Sequence, residues 1–92
     1  MSYINKSQEL VISKFLQRYD YDGVLDILIE CGIESGDLYY LLKSCKYATN
    51  FDFKTALKLT NNLSEQMLER KEIKNLITNL ENLNKGEPED IL

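Results

Sequence analysis

The side chains that could do chemistry in this chain are carboxylates, lysines and two thiols, because its 92 residues contain no histidine. Histidine is the commonest general base near neutral pH and a common metal ligand. Cys31 and Cys45 form no Cys-x-x-Cys pair, and no histidine is present that could activate either thiol. In a cytoplasmic protein we interpret both as small buried hydrophobic residues rather than as a disulfide or a nucleophile.

Six acids and no base lie between positions 20 and 37: Asp20, Asp22, Asp26, Glu30, Glu34 and Asp37. The first three have part of the spacing of a calcium-binding loop. The sixth loop position, however, holds Leu25 where glycine is required, and the twelfth holds Cys31 where a glutamate is required. Paired catalytic carboxylates would need one member desolvated in a pocket, and the sequence contains no sign of that. We therefore predict a solvated acidic face, with no metal and no cofactor.

A lysine set with aromatic neighbours follows the acids: Lys43, Lys46, Lys54 and Lys58. Lysines can track phosphates while aromatic rings stack on unpaired bases, so this set is the candidate RNA-binding surface. The formal net charge of −4 opposes attraction of nucleic acid by the whole surface. The alternative interpretation of the lysine set is an ordinary solvated face.

Two apolar features are candidates for contact with a protein partner. Tyr39 and Tyr40 occupy adjacent helical positions and cannot both point fully inward, so at least one should lie at a rim. A stripe of about two heptads follows near the C-terminus, enough to dock on a neighbouring hairpin of the same chain or on a second copy. The candidate partner-binding residues are Tyr39, Tyr40, Ile73, Leu76, Leu80 and Leu83.

The elements that position these residues are helices, because apolar residues recur at spacings of three and four and no segment has a strand pattern. We predict an all-α domain of about five helices over residues 1–85 and an exposed acidic tail over 86–92. The first helix begins near Ser7, the second ends near Cys31, and Ser35 or Asp37 caps the third. The last helix has about 20 residues. Three predicted N-caps open helices two, four and five: Asp20, Asp52 and Ser64.

The segments RYDYDGVLDIL and NFDFKTALKLT share a pattern at an offset of 32 residues. In each, an aromatic residue precedes an Asp cap, a second aromatic follows it, and a small residue and a leucine come next. We interpret this unit as a corner between two helices, in which Tyr19 or Phe51 covers the turn. A period near 34 is typical of tetratricopeptide-like stacked hairpins. The alternative is two ordinary antiparallel hairpins that share a capping habit.

These segments, with LYYLLKSCKYATNFDFKTALKLTNNL, resemble the helical segment of type III CRISPR-associated ribonucleases of the CARF and HEPN class. The resemblance covers residues 15–63, and it implies a helical scaffold associated with antiviral defence. The family's sensor domain is Rossmann-like and its ribonuclease motif is Arg-x4-His. This chain has neither the strand pattern nor a histidine, so neither activity transfers to a residue here.

The function we predict is therefore a non-catalytic helical interaction module that binds a protein partner or forms a homodimer. One alternative is a small RNA-binding protein that uses the lysine set. Another is a regulatory or inhibitory protein that docks on an enzyme. We expect a cytoplasmic location, because the first residues lack a secretory signal and no apolar run could cross a membrane.

Overall fold

The computed structural model of the protein describes residues 4–86, and this part consists of helices and connecting turns without a strand. The all-α prediction is confirmed, with six helices where about five were expected. Residues 87–92, most of the predicted acidic tail, lie outside the described part. The helices are α1 (Lys6–Gln17), α2 (Tyr21–Glu30), α3 (Gly36–Thr49), α4 (Phe53–Thr60), α5 (Glu65–Leu68) and α6 (Lys71–Lys85).

Five of the helices form a closed ring. Helix α1 packs against α2, α2 against α3, α3 against α4, α4 against α6, and α6 against α1. Because α6 lies between α4 and α1, the chain closes into a bundle and does not continue as an open array of hairpins. The largest fully buried apolar side chains form the core of the bundle: Val24, Leu28, Leu41, Cys45, Ile73, Leu76 and Leu80.

The predicted single last helix is wrong, because the chain breaks it after α5. Ser64 does cap α5, as expected, since its Oγ accepts the Met67 N–H at 3.2 Å. Met67 is buried, yet it precedes the buried Ile73 by six residues. A continuous helix would place the two about 120° apart around its axis, so only one could face the core. The extended conformation of Arg70 removes this conflict and restarts the helix as α6.

The predicted Asp cap at the first corner is confirmed. The Oδ1 atom of Asp20 accepts the Gly23 N–H at 2.9 Å, which satisfies a free donor at the start of α2. The backbone N–H of the same residue donates to the Phe15 carbonyl at 2.8 Å and closes α1. Gly23 lies close to this cap, since a Cβ atom there would lie 2.8 Å from the Asp20 carboxylate. One residue therefore ends a helix and begins the next.

The second corner has the same construction 32 residues later. Asp52 accepts the Thr55 N–H at 3.2 Å and donates its own N–H to the Tyr47 carbonyl at 2.9 Å. Ser44 adds a contact that the sequence did not reveal. Its buried hydroxyl donates to the Ala56 carbonyl at 2.9 Å, which joins α3 to α4. The two corners are therefore structural repeats, and the second is also fastened by a buried hydrogen bond.

Two further helix starts differ from expectation. Asn5 caps α1 by accepting the Gln8 N–H at 2.8 Å, so that helix begins slightly before the predicted Ser7. Ser35 stands at the N-cap of α3 without a side-chain hydrogen bond. Asp37, the other predicted cap of α3, instead accepts the backbone N–H of Ser64 at 2.8 Å and its hydroxyl at 2.6 Å. The start of α3 is thereby joined to the start of α5.

The buried face of α2 does not include Ile29. Ile29 is 58% exposed, whereas Val24 and Leu28 are fully buried. The pair at spacing four sets the centre of the face, and Leu25 and Ile27 flank it as partly buried residues. Ile29 is therefore an exposed apolar side chain of α2, and it takes no part in the corner contacts.

Replacing either corner carboxylate by alanine should lower the free energy of unfolding by about 0.5–2 kcal/mol, because each change leaves a helix N–H without its acceptor. Urea denaturation of Asp20→Ala and Asp52→Ala measures this loss. Asp26→Ala is the matched control, since it removes an exposed carboxylate from mid-α2 and should change stability by no more than about 0.5 kcal/mol. Losses at both corners no larger than the control would contradict the capping assignment.

Candidate functional site

Both corners place an aromatic residue in the left-handed backbone region. Tyr19 has φ 56° and Phe51 has φ 64°, and no other non-glycine residue of the described chain has a positive φ. The same conformation ends α2 at Gly32, with φ 66°. A left-handed conformation costs a non-glycine residue roughly 1–2 kcal/mol. Two of the three left-handed helix ends therefore carry a strain that glycine would have avoided.

Burial covers more than half of the Tyr19 side chain but little of Phe51, so it does not compensate for the strain at Phe51. Tyr19 is 43% exposed and Phe51 is 78% exposed. The prediction that the first aromatic covers each corner is therefore wrong for Phe51, whose ring projects into solvent. The rings that pack inward are the second aromatics, Tyr21 and Phe53. Phe53 meets the Phe51 ring edge to face, with centroids 6.3 Å apart.

The two corners meet at one surface depression, which we call the corner groove. Its volume is about 320 Å³, and helix α6 contributes one wall through Leu83, which is 38% exposed. The sequence repeat is thus also a repeat in space, since equivalent residues of both corners line the same groove. The lining residues are Tyr19, Asp20, Tyr21, Asp22, Ala48, Thr49, Phe51, Phe53 and Leu83.

Helix α6 holds the first corner through Tyr21. The Tyr21 hydroxyl donates to the Asn79 side-chain carbonyl, 58 residues away in sequence. Burial raises the pKa of Tyr21 above its ordinary value, which extends the pH range over which this phenol remains a donor. The wall of the groove that Tyr21 forms is thus fixed to a rigid neighbouring helix.

The charged groups that line the groove are all acidic. Asp20 and Asp22 line it, and no lysine or arginine does. The cations nearest in sequence to the lining residues are Arg18, whose guanidinium lies 5.4 Å from the centre of the Phe15 ring, and the exposed Lys54. Within residues 4–86 the one ion pair joins Arg70 to Glu72, so Asp22 has no cationic partner there. The groove therefore combines aromatic rings with an unneutralised carboxylate.

The structure separates the predicted partner-binding residues. Ile73, Leu76 and Leu80 are fully buried in the ring of helices, so they cannot contact a partner in this fold. Their stripe docks within the chain because α6 packs against α4 and α1. Leu83 alone of that stripe reaches the surface, in the corner groove. Tyr39 and Tyr40 are both partly buried and pack edge to face, with centroids 5.8 Å apart.

The lysine set is divided between two helices. Lys43 and Lys46 belong to α3, and Lys54 and Lys58 belong to α4. The Lys43 ammonium lies 5.3 Å from the centre of the Tyr39 ring, while the other three are exposed. None of the four lines the corner groove.

The two thiols differ in their surroundings. Cys45 is fully buried, and burial raises its pKa to about 12. Cys31 is free and only partly buried. Low thiolate content and lack of access make Cys45 chemically inert.

No family model, curated protein or solved structure matches the chain. Of the helices between positions 4 and 86, none has the length and apolar character to span a bilayer. The candidate site therefore rests on the geometry of the chain itself. Sequence reasoning found the residues of both corners, but it missed that they share one groove. The offset of 32 was the available signal, since equivalent corners of adjacent helix pairs fall at the same end of a bundle.

At the two strained positions, the glycine variant of the protein should be more stable than the alanine variant. We expect Tyr19→Gly and Phe51→Gly to exceed Tyr19→Ala and Phe51→Ala in unfolding free energy by about 0.5–1.5 kcal/mol, because glycine adopts positive φ without steric cost. Urea denaturation of the four variants gives the comparison.

The control is the same pair of substitutions at Asp26, an exposed position inside α2. There alanine should be more stable than glycine by about 1 kcal/mol. The same order of alanine and glycine at all three positions would contradict the left-handed assignment.

The two thiols should react at very different rates with an aromatic disulfide reagent at neutral pH. The Cys45→Ser variant, which retains Cys31, should be labelled at least tenfold faster than the Cys31→Ser variant, which retains the buried Cys45. In denaturant the two rates should become equal. Fast labelling of Cys45 in the folded protein would show that the core opens readily.

Proposed function

We propose that the chain is a non-catalytic interaction module that binds a partner protein through the corner groove. The observation that supports this proposal is the pair of exposed aromatic residues, Tyr19 and Phe51. Both have strained backbone conformations, and both line the same groove. Backbone strain of this kind is concentrated at functional sites. Gly32 demonstrates that this chain can end a helix in the same way with glycine. What an aromatic residue adds at these positions, at the cost of backbone strain, is its side chain.

The construction of the groove suits binding. Asp20 and Asp52 each hydrogen-bond to both helices of their corner, so the rings start from fixed backbone positions. A preordered surface loses little conformational entropy when a partner binds. Aromatic residues are enriched at protein interfaces, where a few of them carry most of the binding energy. The fixed corners would therefore hold Phe51 and Tyr19 in place as binding anchors.

The polar groups of the groove favour binding over catalysis. One Asp20 oxygen is already used by the Gly23 N–H, and Asp22 is exposed to solvent. General acid catalysis by a carboxyl needs a desolvated site that raises its proton affinity. With no histidine in the chain, the groove offers no other base of suitable strength.

The resemblance to CRISPR-associated ribonucleases gives this proposal a setting. If the chain shares ancestry with their helical segment, its partner is a component of an antiviral defence complex in the cytoplasm. A regulatory role on a partner enzyme, or pairing of two copies, would use the same groove. The RNA-binding alternative receives less support, because the lysine set lies outside the groove.

A photo-crosslinking residue in place of Phe51 should capture the partner in cells of the source organism. The same residue in place of Ile29, which is exposed on α2, is the matched control. We expect a discrete adduct from position 51 and none from position 29, detected by mass spectrometry. Equal yields from both positions, or none from either, would contradict binding through the groove. An adduct of twice 10.7 kDa, or 21.4 kDa, would identify a second copy as the partner.

A further inference from the structure

We propose that the occupant of the corner groove is an arginine-bearing segment of the partner protein, an inference that rests on the proposed function of the groove. The groove places aromatic rings and a free carboxylate on one surface, through Phe51, Tyr19 and Asp22. A guanidinium is the side-chain group that uses both. Its plane stacks on an aromatic face while its N–H groups pair with a carboxylate.

Phe51 supplies the stacking surface. Its ring is 78% exposed, so a face of the Phe51 ring remains accessible to a cation beside its edge-to-face contact with Phe53. The chain itself contains the analogous arrangement, since the Arg18 guanidinium lies over Phe15 and the Lys43 ammonium lies over Tyr39. Those two cations are already engaged, and neither lines the groove.

The charge next to the groove complements a basic segment. Asp22, Asp26 and Glu30 occur at spacings of four along α2, all are exposed, and α2 contains no basic residue. Like charges at this spacing repel each other along a helix. A second cation on the partner segment would relieve that repulsion, so a segment with more than one arginine should bind better than a segment with one.

The same charges disfavour the other occupants. A second copy docked groove to groove would bring Asp20 and Asp22 of each chain against those of the other, between molecules that each carry a net charge of −4. A nucleic acid would bring phosphates against the same carboxylates. A cationic peptide is the occupant whose positive charge complements the carboxylates of both the groove and the adjoining face of α2.

The test is titration of the ¹⁵N-labelled 92-residue protein with capped pentapeptides. In each peptide leucine alternates with one other residue, which is arginine, citrulline or lysine. We expect the arginine peptide to cause saturable shifts at the groove residues, centred on positions 19–22 and 48–53. The citrulline peptide, which keeps the shape and lacks the charge, should bind at least tenfold more weakly. The lysine peptide should also bind more weakly, because an ammonium cannot stack as a plane.

Variants locate the two contacts. Phe51→Ala and Asp22→Asn should each weaken binding of the arginine peptide by roughly 3- to 30-fold. Glu65→Gln removes one charge at an exposed position of α5 and should change the affinity less than twofold. At an ionic strength of ~1 M, where the Debye length is about 3 Å, the affinity should fall. Unfolding curves of each variant establish that it is folded.

Each contrary result has a separate meaning. Equal binding of the arginine, lysine and citrulline peptides, or equal losses in Asp22→Asn and Glu65→Gln, overturns the arginine assignment. Shifts on another face, or no saturable shift, overturns it as well. If crosslinking from position 51 still captures a partner, the groove remains a binding site and only its occupant has been misassigned. Loss of the position 51 adduct refutes the proposed function itself.

Discussion

The architecture depends on two aspartates that each serve two helices at once. The backbone N–H of Asp20 completes α1, and its carboxylate opens α2. Asp52 does the same for α3 and α4. Because only three residues lie between the helices at each corner, the chain must turn within them, and the left-handed conformation of the residue before each aspartate accomplishes this. The strain at Tyr19 and Phe51 is therefore a consequence of how the corners are built.

That constraint explains the backbone conformation but not the choice of residue. Glycine meets the same requirement at the end of α2, where the next residue, Ile33, is buried against the core. At the two Asp corners the chain has aromatic residues instead, and the rings face the groove. Neither the backbone requirement nor burial explains the exposed Phe51 ring at such a position, where glycine would remove the steric cost.

The sequence predicted what local chemistry controls, and it failed where distant parts of the chain meet. The helical period and the capping rules were sufficient for the all-α fold and for the caps at Asp20, Asp52 and Ser64. No glycine or proline marks the helix break at Arg70. The break follows instead from the burial of both Met67 and Ile73, which is a tertiary requirement. The Asp37 contact with Ser64 spans 27 residues, which exceeds any local rule. The offset of 32 could have placed both corners at one end of the bundle, but the wall that Leu83 adds to the groove depends on how the ring of helices closes.

The central claim is that Tyr19 and Phe51 are left-handed in solution, and NMR tests it directly. In a left-handed residue the amide and α protons lie closer together than in a helical or extended residue, so their nuclear Overhauser effect is stronger. We predict strong intraresidue effects at Tyr19 and Phe51, matching those expected at Gly32 and exceeding those of residues within the helices. Intensities at either aromatic equal to those of helical residues would contradict the account.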